Sequence, residues 1–210
     1  MGDVSALSIE IVNLDASMAE DLERIEHLAF PKANRDELFS VEIIEAYARV
    51  FPEGYFVAML DGSPVGQGAG IYLDFDFDHS QHKITEITGE HQCGNHDPDG
   101  DWYYGTDISV HPEYRGLGIG KLLYEARKDL VRRDHKRGII AGASIPGYFH
   151  HKGEMTAPEY VDRVVAGELT DPTLTFQMSN GFRVRGMLEN YMDDDADDGW
   201  AALIVWENET

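Results

Sequence analysis

The chain has 210 residues, of which 17 are Lys or Arg and 39 are Asp or Glu, so its formal net charge at pH 7 is −22. A hydrophobic fraction of 42% excludes a disordered, collagenous or coiled-coil chain. A surface this acidic repels phosphate backbones and anionic lipids, so we expect neither a nucleic acid nor a membrane as partner. The length fits one large domain or two small ones, and because the sequence shows no internal repeat and no linker, we expect one domain that comprises residues 1–210.

The cysteine count and the N-terminal residues bear on the compartment. Cys93 is the only cysteine, so no disulfide can form within the chain and a reducing, cytoplasmic location is expected. The N-terminal residues lack the basic and apolar regions of a signal peptide. The sequence has 21 Asp and 6 Lys, which fits either adaptation to high salt or an ordinary acidic protein.

Residues 1–73 predict a strand, two helices and a hairpin. The first strand shows the alternation of a half-buried strand, with Leu7, Ile9 and Ile11 apolar. Asp61–Gly62 has the composition of a tight hairpin turn. The predicted elements are a strand at 7–14, a helix capped by Asp15 or Ser17 and ended by Pro31, a helix at 39–50, and hairpin strands at 55–60 and 65–73.

Residues 74–101 interrupt this pattern with aspartates, four histidines and many turn-forming residues. So long a connection within a domain is either functional or a solvated insertion, and both interpretations stay open. His91, Cys93 and His96 have a spacing that could bind zinc, but no fourth ligand is evident, so no metal site is predicted.

The second half of the chain again alternates strands and helices. The predicted elements are a strand at 102–110, a helix from the following glycine turn to Arg133, a buried strand at 138–145, a helix at 155–167 capped by Thr156, a short helix at 173–179, and strands at 182–191 and 200–206. Helices interspersed with strands indicate an α/β (α+β) domain built on one mixed sheet.

The most informative segment is Arg115–Lys121, in which three glycines alternate between a strand and a helix. The first-turn amides of a helix have no intrahelical partner, and the helix dipole favours an anion there. Glycines let such an anion approach the backbone closely. Arg115 and Lys121 add two positive charges to this end of the helix, so the segment predicts an anion site in a protein that is otherwise acidic.

Two common phosphate motifs do not fit this segment. A Walker P-loop requires Gly-Lys followed by Ser or Thr, but Leu122 follows Gly120–Lys121. The dinucleotide fingerprint requires a third glycine where Lys121 stands. An NTPase and a Rossmann enzyme are therefore disfavoured.

The remaining pattern, Arg115-x-x-Gly118-x-Gly120, resembles the pyrophosphate loop of the GNAT N-acetyltransferases. The segment FQMSNGF at 176–182 resembles the second landmark of that family, and the order of elements also matches. Residues 86–206 are most similar to the acetyltransferase domain attached to carbon–nitrogen hydrolases, of which this chain would be a stand-alone version. The resemblance implies a twisted, mostly antiparallel sheet of about seven strands with helices on both faces, its fourth and fifth strands splayed apart.

The resemblance also implies an acetyl-CoA-dependent N-acetyltransferase that acts by direct attack of a primary amine in a ternary complex. The amine would be a small molecule, no metal would be needed, and a homodimer is compatible with the family. The strand segment Ile108–Val110 would pair with the pantetheine arm, and an amide near Ile108 or Val110 would polarise the thioester carbonyl. The implied coenzyme-binding residues are Ile108, Ser109, Val110, Arg115, Gly116, Leu117, Gly118, Ile119, Gly120, Lys121, Asn180 and Phe182.

An ammonium acceptor must lose a proton before it attacks, so the family implies a general base. Asp107 is the first candidate because it lies on the strand beside the thioester, and Glu86 and His111 are the second choices. The tyrosine that commonly protonates the thiolate is replaced by Gln177. Three other tyrosines could protonate the thiolate instead: Tyr148, which is the first choice, Tyr160 and Tyr191.

The missing tyrosine leaves an alternative function open. A non-catalytic module that binds or senses acyl-CoA would keep the glycine turn and could lose the acid. Asp107 and the long polar segment 74–101 favour the enzyme instead.

Overall fold

A computed structural model describes residues 8–31, 33–193 and 196–209. Leu7, the predicted start of the first strand, lies outside the described residues. The elements in chain order are β1 (Ile9–Asn13), α1 (Ala19–Ala29), α2 (Val41–Val50), β2 (Phe56–Leu60), β3 (Ser63–Leu73), α3 (Ile84–Thr88), β4 (Trp102–Val110), α4 (Ile119–Arg133), β5 (Gly138–Ser144), α5 (Ala157–Val165), α6 (Leu174–Ser179), β6 (Arg183–Leu188) and β7 (Ala201–Glu207).

All seven strands of the described chain belong to one sheet, in the order β1-β2-β3-β4-β5-β7-β6. The β4–β5 pair is parallel and the other pairs are antiparallel. The predicted fold class, a mixed and mostly antiparallel sheet of about seven strands, is therefore confirmed.

Helices cover both faces of this sheet, as expected. Side chains alternate along each strand, so Tyr103 packs with the core on the α4 side whereas Trp102 and Tyr104 pack with the core on the α1 side. We call the side covered by α1, α2 and α3 the α1 face, and the side covered by α4, α5 and α6 the α4 face.

Local capping explains where several helices begin. The Asp15 carboxylate accepts from the Ser17 N–H at 2.9 Å, in the short turn that leads into α1. Thr156 and Glu159 form a capping box at the start of α5, as the predicted Thr156 cap requires. None of the helices in the described part of the chain is long and apolar enough to cross a membrane.

The structure departs from the predicted pattern at two places. Residues 74–101 contain the short helix α3, whose first turn is capped by a bond from the Lys83 N–H to the Glu86 carboxylate at 3.0 Å. On α4, the helical pattern of the sequence predicts a buried Leu122 and an exposed Lys128. In the structure Leu122 is 40% exposed, and Lys128 is buried with its ammonium donating to the Asn180 carbonyl at 2.8 Å.

Candidate active site

The expected splay of β4 and β5 is present. The two strands pair at Trp102–Tyr104 with Gly138–Ile140 and no further, whereas β3 stays paired with β4 as far as Val110. Among the described residues, no strand pairs with the other edge of residues 105–110. This free edge includes Ile108, Ser109 and Val110, so an extended molecule could add to the sheet there.

A bulge in β4 lies at the point where the strands separate. Ala69 faces Asp107 and Gly70 faces Gly105, so Thr106 is the extra residue. The Thr106 hydroxyl accepts from the Tyr47 hydroxyl at 2.7 Å, which fixes the bulge against α2.

The glycine turn lies at the end of the same strand and is exposed from residue 115 to 118. Gly116 and Gly118 have φ values of 80° and 82°, which residues with a Cβ rarely adopt. A Cβ at either position would meet no described atom within 4 Å, so the space above the backbone is open. The turn then leads into α4 at Ile119, and the first-turn amides of this helix, including those of Gly120 and Lys121, have no intrahelical partner. This geometry suits the predicted pyrophosphate site.

The two cations of the turn are placed differently. The Arg115 guanidinium donates to the Ala29 carbonyl at 2.9 Å and to the Val110 carbonyl at 3.3 Å. Arg115 therefore ties the turn to the end of α1 and to β4. Lys121 is exposed on the first turn of α4 and is the more accessible cation of the two.

Apolar side chains surround the turn. Leu117 is 47% exposed and Phe176 is 41% exposed. The Phe176 ring lies against Gly120, where a Cβ would be 3.0 Å from its nearest atom. Phe176 also lines a shallow pocket of about 410 Å³ at the start of α6. Phe176 was not among the predicted binding residues, although it opens the FQMSNGF landmark.

Asn180 and Phe182 have structural roles. The Asn180 amide donates to the Phe176 carbonyl at 2.8 Å at the end of α6. Phe182 is 3% exposed and packs on Tyr124 with 5.1 Å between ring centroids. Their predicted contact with the pantetheine arm stays a prediction.

Asp107 faces Glu26 of α1; the residue as a whole is partly exposed, but its Oδ2 atom is buried. Burial and the Glu26 charge raise the pKa of Asp107, and burial also raises the pKa of Glu26. Gln67 donates to the Glu26 carboxylate at 2.9 Å, and Tyr55 donates to Gln67 at 2.6 Å. The predicted base is thus held in an environment that favours its protonated form.

A buried arginine spans this region from α4. The Arg127 guanidinium donates to the Ala69 carbonyl at 3.0 Å and to the Asp107 carbonyl. Its charge opposes the rise in the Asp107 pKa. Arg127 therefore fixes the backbone of both strands beside the bulge.

The other candidates for proton transfer lie apart from Asp107. Glu86 caps α3, as described above. The His111 ring accepts from the Glu113 N–H at 3.3 Å. The Tyr148 hydroxyl donates to the Met155 carbonyl at 3.2 Å, and Gln177 is buried on α6. The catalytic roles of Glu86 and Tyr148 stay predictions, and no described bond joins either residue to Asp107.

The residues with a zinc-like spacing lie in the histidine-rich segment 74–101. The described residues contain no group of three or more His, Cys, Asp or Glu side chains that could hold a metal ion. Cys93 is buried, and His96 accepts from the Tyr72 N–H at 3.1 Å.

A second pocket opens on the α1 face and has a volume of about 350 Å³. Its lining comes from Glu37, from the start of α3 and from the connection between β6 and β7. Tyr191 lies in this lining and also packs in the core of the α1 face. The pocket therefore reaches from the surface toward the sheet.

Three residues of the site were missed from sequence: Glu26, Arg127 and Tyr104, whose hydroxyl lies 3.0 Å from that of the candidate acid Tyr191. A signal for two of them was present. Glu26 follows Leu22 and Ile25 on the apolar face of α1, and Arg127 shares the apolar face of α4. A charged residue on the buried face of a helix indicates a partner in the core.

Comparison with known proteins bears on the family to which the chain belongs. Residues 19–144 match the family model described as Acetyltransferase (GNAT) family. The chain is 30% identical over 202 residues to the uncharacterized N-acetyltransferase YkwB of Bacillus subtilis (strain 168), and the match covers 96% of this chain and 89% of YkwB. It is 43% identical over 159 residues to the probable hydrolase YhcX of the same organism, which covers 75% of this chain but only 31% of the length of YhcX.

The fold is also found among solved structures. The GphF GNAT-like decarboxylase in complex with isobutyryl-CoA has a TM-score of 0.79 and 21% identity, over 94% of this chain and 98% of GphF. The relation to YhcX is in line with the resemblance to a hydrolase-attached domain. The match to the family model over most of the chain, together with the relation to YkwB, shows that the chain belongs to the acetyltransferase (GNAT) family.

Proposed function

We propose that this acyltransferase is an acetyl-CoA-dependent N-acetyltransferase that acts on a small primary amine by direct attack in a ternary complex. One observation carries the proposal: the exposed glycine turn and the free edge of β4 belong to one continuous segment, residues 105–121. A diphosphate at the turn would leave the pantetheine arm along the free edge. The isobutyryl-CoA complex of GphF supports a coenzyme A thioester on this fold.

The reaction needs a polarised thioester and a neutral amine. A backbone amide of the free edge near Ile108 or Val110 would stabilise the oxyanion that forms on the thioester carbonyl. The amine would enter through the pocket on the α1 face, on the side of the thioester opposite to the glycine turn. The carboxylates of Glu37 and Asp193 line this pocket, which favours a cationic acceptor.

The test is the release of free thiol from acetyl-CoA with a panel of primary amines at pH 8. Thiol release that depends on the amine, together with an acetylated amine of the expected mass, supports the proposal. Gln177, in place of the family tyrosine, favours one alternative, a non-catalytic acyl-CoA-binding module. Thermal stabilisation by CoA without thiol release from any amine would support that module instead.

Reversing the charge of Lys121 will weaken acetyl-CoA binding about 30-fold. Two unit charges about 4 Å apart in water interact by about 1 kcal/mol, and a reversal changes the energy by about twice that, while about 1.4 kcal/mol is tenfold in affinity. Titration calorimetry of K121E at low salt measures the effect, and R183E, on the edge strand β6, is the matched control. Equal affinity of K121E and R183E would contradict a diphosphate at the turn.

A further inference from the structure

Three side chains on the α1 face form a continuous hydrogen-bonded chain. The Tyr104 and Tyr191 hydroxyl oxygens are 3.0 Å apart, and the Tyr104 oxygen is 2.7 Å from His82 Nε2. His82 Nδ1 is 2.7 Å from the Ser80 carbonyl oxygen. The chain thus runs from the pocket lining at Tyr191 to the half-buried His82.

The directions of these bonds follow from the Ser80 contact. A carbonyl oxygen only accepts, so His82 Nδ1 carries the hydrogen and Nε2 has the lone pair. Tyr104 then donates to Nε2, and Tyr191 must donate to Tyr104. The Tyr191 oxygen then acts as an acceptor toward the Gly142 backbone, and its remaining lone pair can accept a hydrogen from a ligand.

The two phenols lie where β4 and β5 separate. Tyr104 is the last residue of β4 that pairs with β5. The backbone of Gly142, two residues beyond the last pair on β5, interacts with both phenol oxygens. The Tyr191 ring lies so close to Gly142 that a Cβ there would be 2.3 Å from it. The hydroxyls therefore stand next to the free edge where the thioester is placed by the proposed function.

The protonation states suit proton transfer. Burial lowers the pKa of His82, against smaller opposing effects of the Ser80 carbonyl and the Glu86 charge, so its imidazole is neutral at pH 7. Burial raises the pKa of Tyr104 and of Tyr191, so each phenol can pass a proton on but does not ionise. The groups that face His82 are the Ser80 carbonyl, the Glu86 charge and the rings of Phe75, Tyr104 and Tyr191.

We propose that Tyr191, Tyr104 and His82 form a proton-transfer chain that deprotonates the amine acceptor. The inference rests on the proposed function. It assigns to these three side chains the role of general base that was predicted for Asp107. Tyr191 is the catalytic residue because it reaches the pocket, whereas Tyr104 and His82 are positioning residues that act through it.

The proton balance is complete. The acceptor ammonium gives one proton to the Tyr191 oxygen while the Tyr191 proton moves to Tyr104 and the Tyr104 proton moves to His82 Nε2. The imidazolium then loses a proton to water at the half-exposed side of His82. The neutral amine forms the C–N bond, the C–S bond breaks, and the second amine proton leaves on the CoA thiol.

The test compares Y104F and H82Q with the wild type, using 1,4-diaminobutane and 2,2,2-trifluoroethylamine as acceptors. A general base contributes about 10²–10⁴-fold to the rate, so we expect kcat with the basic diamine to fall about 100-fold in both variants. The fall will be smaller with trifluoroethylamine, which is already neutral at pH 7. The acidic limb of kcat against pH will disappear in H82Q, and the Kd of acetyl-CoA will not change.

The controls distinguish an error in the proton-transfer chain from an error in the proposed acetyltransferase function. Y72F removes a buried hydroxyl that donates to Asp134 at 2.7 Å outside this chain, and it should keep the wild-type kcat. If Y104F does not fold, H82Q at the half-exposed end still gives the result. If both variants have wild-type rates and pH profiles, the proposed proton-transfer chain is wrong, but the proposed acetyltransferase function still stands. Absence of thiol release from the wild type with every amine would overturn the proposed function, and the chain with it.

Discussion

Replacing Arg127 by methionine will lower the free energy of unfolding by about 2–6 kcal/mol, because the carbonyls of Ala69 and Asp107 lose this donor, at about 1–3 kcal/mol each. In a chain of this size the melting temperature should fall by roughly 4–24 °C. The guanidinium donates to the carbonyls of Ala69 and Asp107, and its charge opposes the rise in the pKa of the Asp107 carboxyl. Methionine fills similar space but has no hydrogen-bond donor and no charge to offer these groups.

Chemical denaturation of R127M against R132M measures the effect. Arg132 lies on the same helix, is 40% exposed in its side chain, and pairs with Asp129 at 2.8 Å. An exposed pair of this kind contributes about 0–1 kcal/mol, so R132M should lose little. Equal stability of the two variants would show that Arg127 does not support the buried network.

The loss of Arg127 also bears on the binding of acetyl-CoA. Its bonds to Ala69 and Asp107 hold β3 and β4 in register next to the bulge at Thr106. The free edge of β4 follows directly, so a shift there displaces the amides that are proposed to hold the coenzyme. We expect the acetyl-CoA affinity of R127M to fall even at temperatures where the variant is folded.

The order of elements could be predicted because most helices and strands are determined by short sequence patterns. The strand alternation, the Asp61–Gly62 turn and the Thr156 cap each act within a few residues, and the structure has the corresponding elements. The helix α3 could not be predicted in the same way. It has five residues, and its stability comes from one cap and from packing of Ile84 in the core of the α1 face.

The same distinction applies to the site. The glycine turn is contiguous in sequence, so its open backbone could be anticipated. Glu26 and Gln67 are 41 residues apart, and Tyr104 and Tyr191 are 87 residues apart. Only the sheet order brings such pairs together, and a single sequence carries no signal of that proximity. Asp107 was identified correctly as a strand residue near the splay, but its burial against Glu26 depends on the packing of α1.

Replacing Asp107 by asparagine will change how stability depends on pH. The pKa of Asp107 is raised in the folded protein, so between about pH 4 and that raised value the folded state binds more protons than the unfolded state. Wild-type stability therefore falls as pH rises across this window, by about 1.4 kcal/mol per pH unit for one proton. Asparagine cannot ionise, so D107N should gain stability relative to the wild type as pH increases from 5 to 7.

Denaturation of wild type, D107N and D162N at several pH values measures this slope. Asp162 is exposed on α5 and serves as the control for a generic loss of negative charge. Identical slopes in D107N and the wild type would mean that Asp107 ionises normally and that its contact with Glu26 is not as described.

The catalytic rate of D107N distinguishes the two candidate bases. If Asp107 takes the proton of the amine, the rate will fall by about 10²-fold or more, as for loss of a general base. If the chain of Tyr191, Tyr104 and His82 takes it, D107N will keep a rate within about threefold of the wild type, with an unchanged pH profile. We expect the second result, because a carboxyl that is held in its protonated form by burial and by a neighbouring carboxylate is a poor proton acceptor at neutral pH.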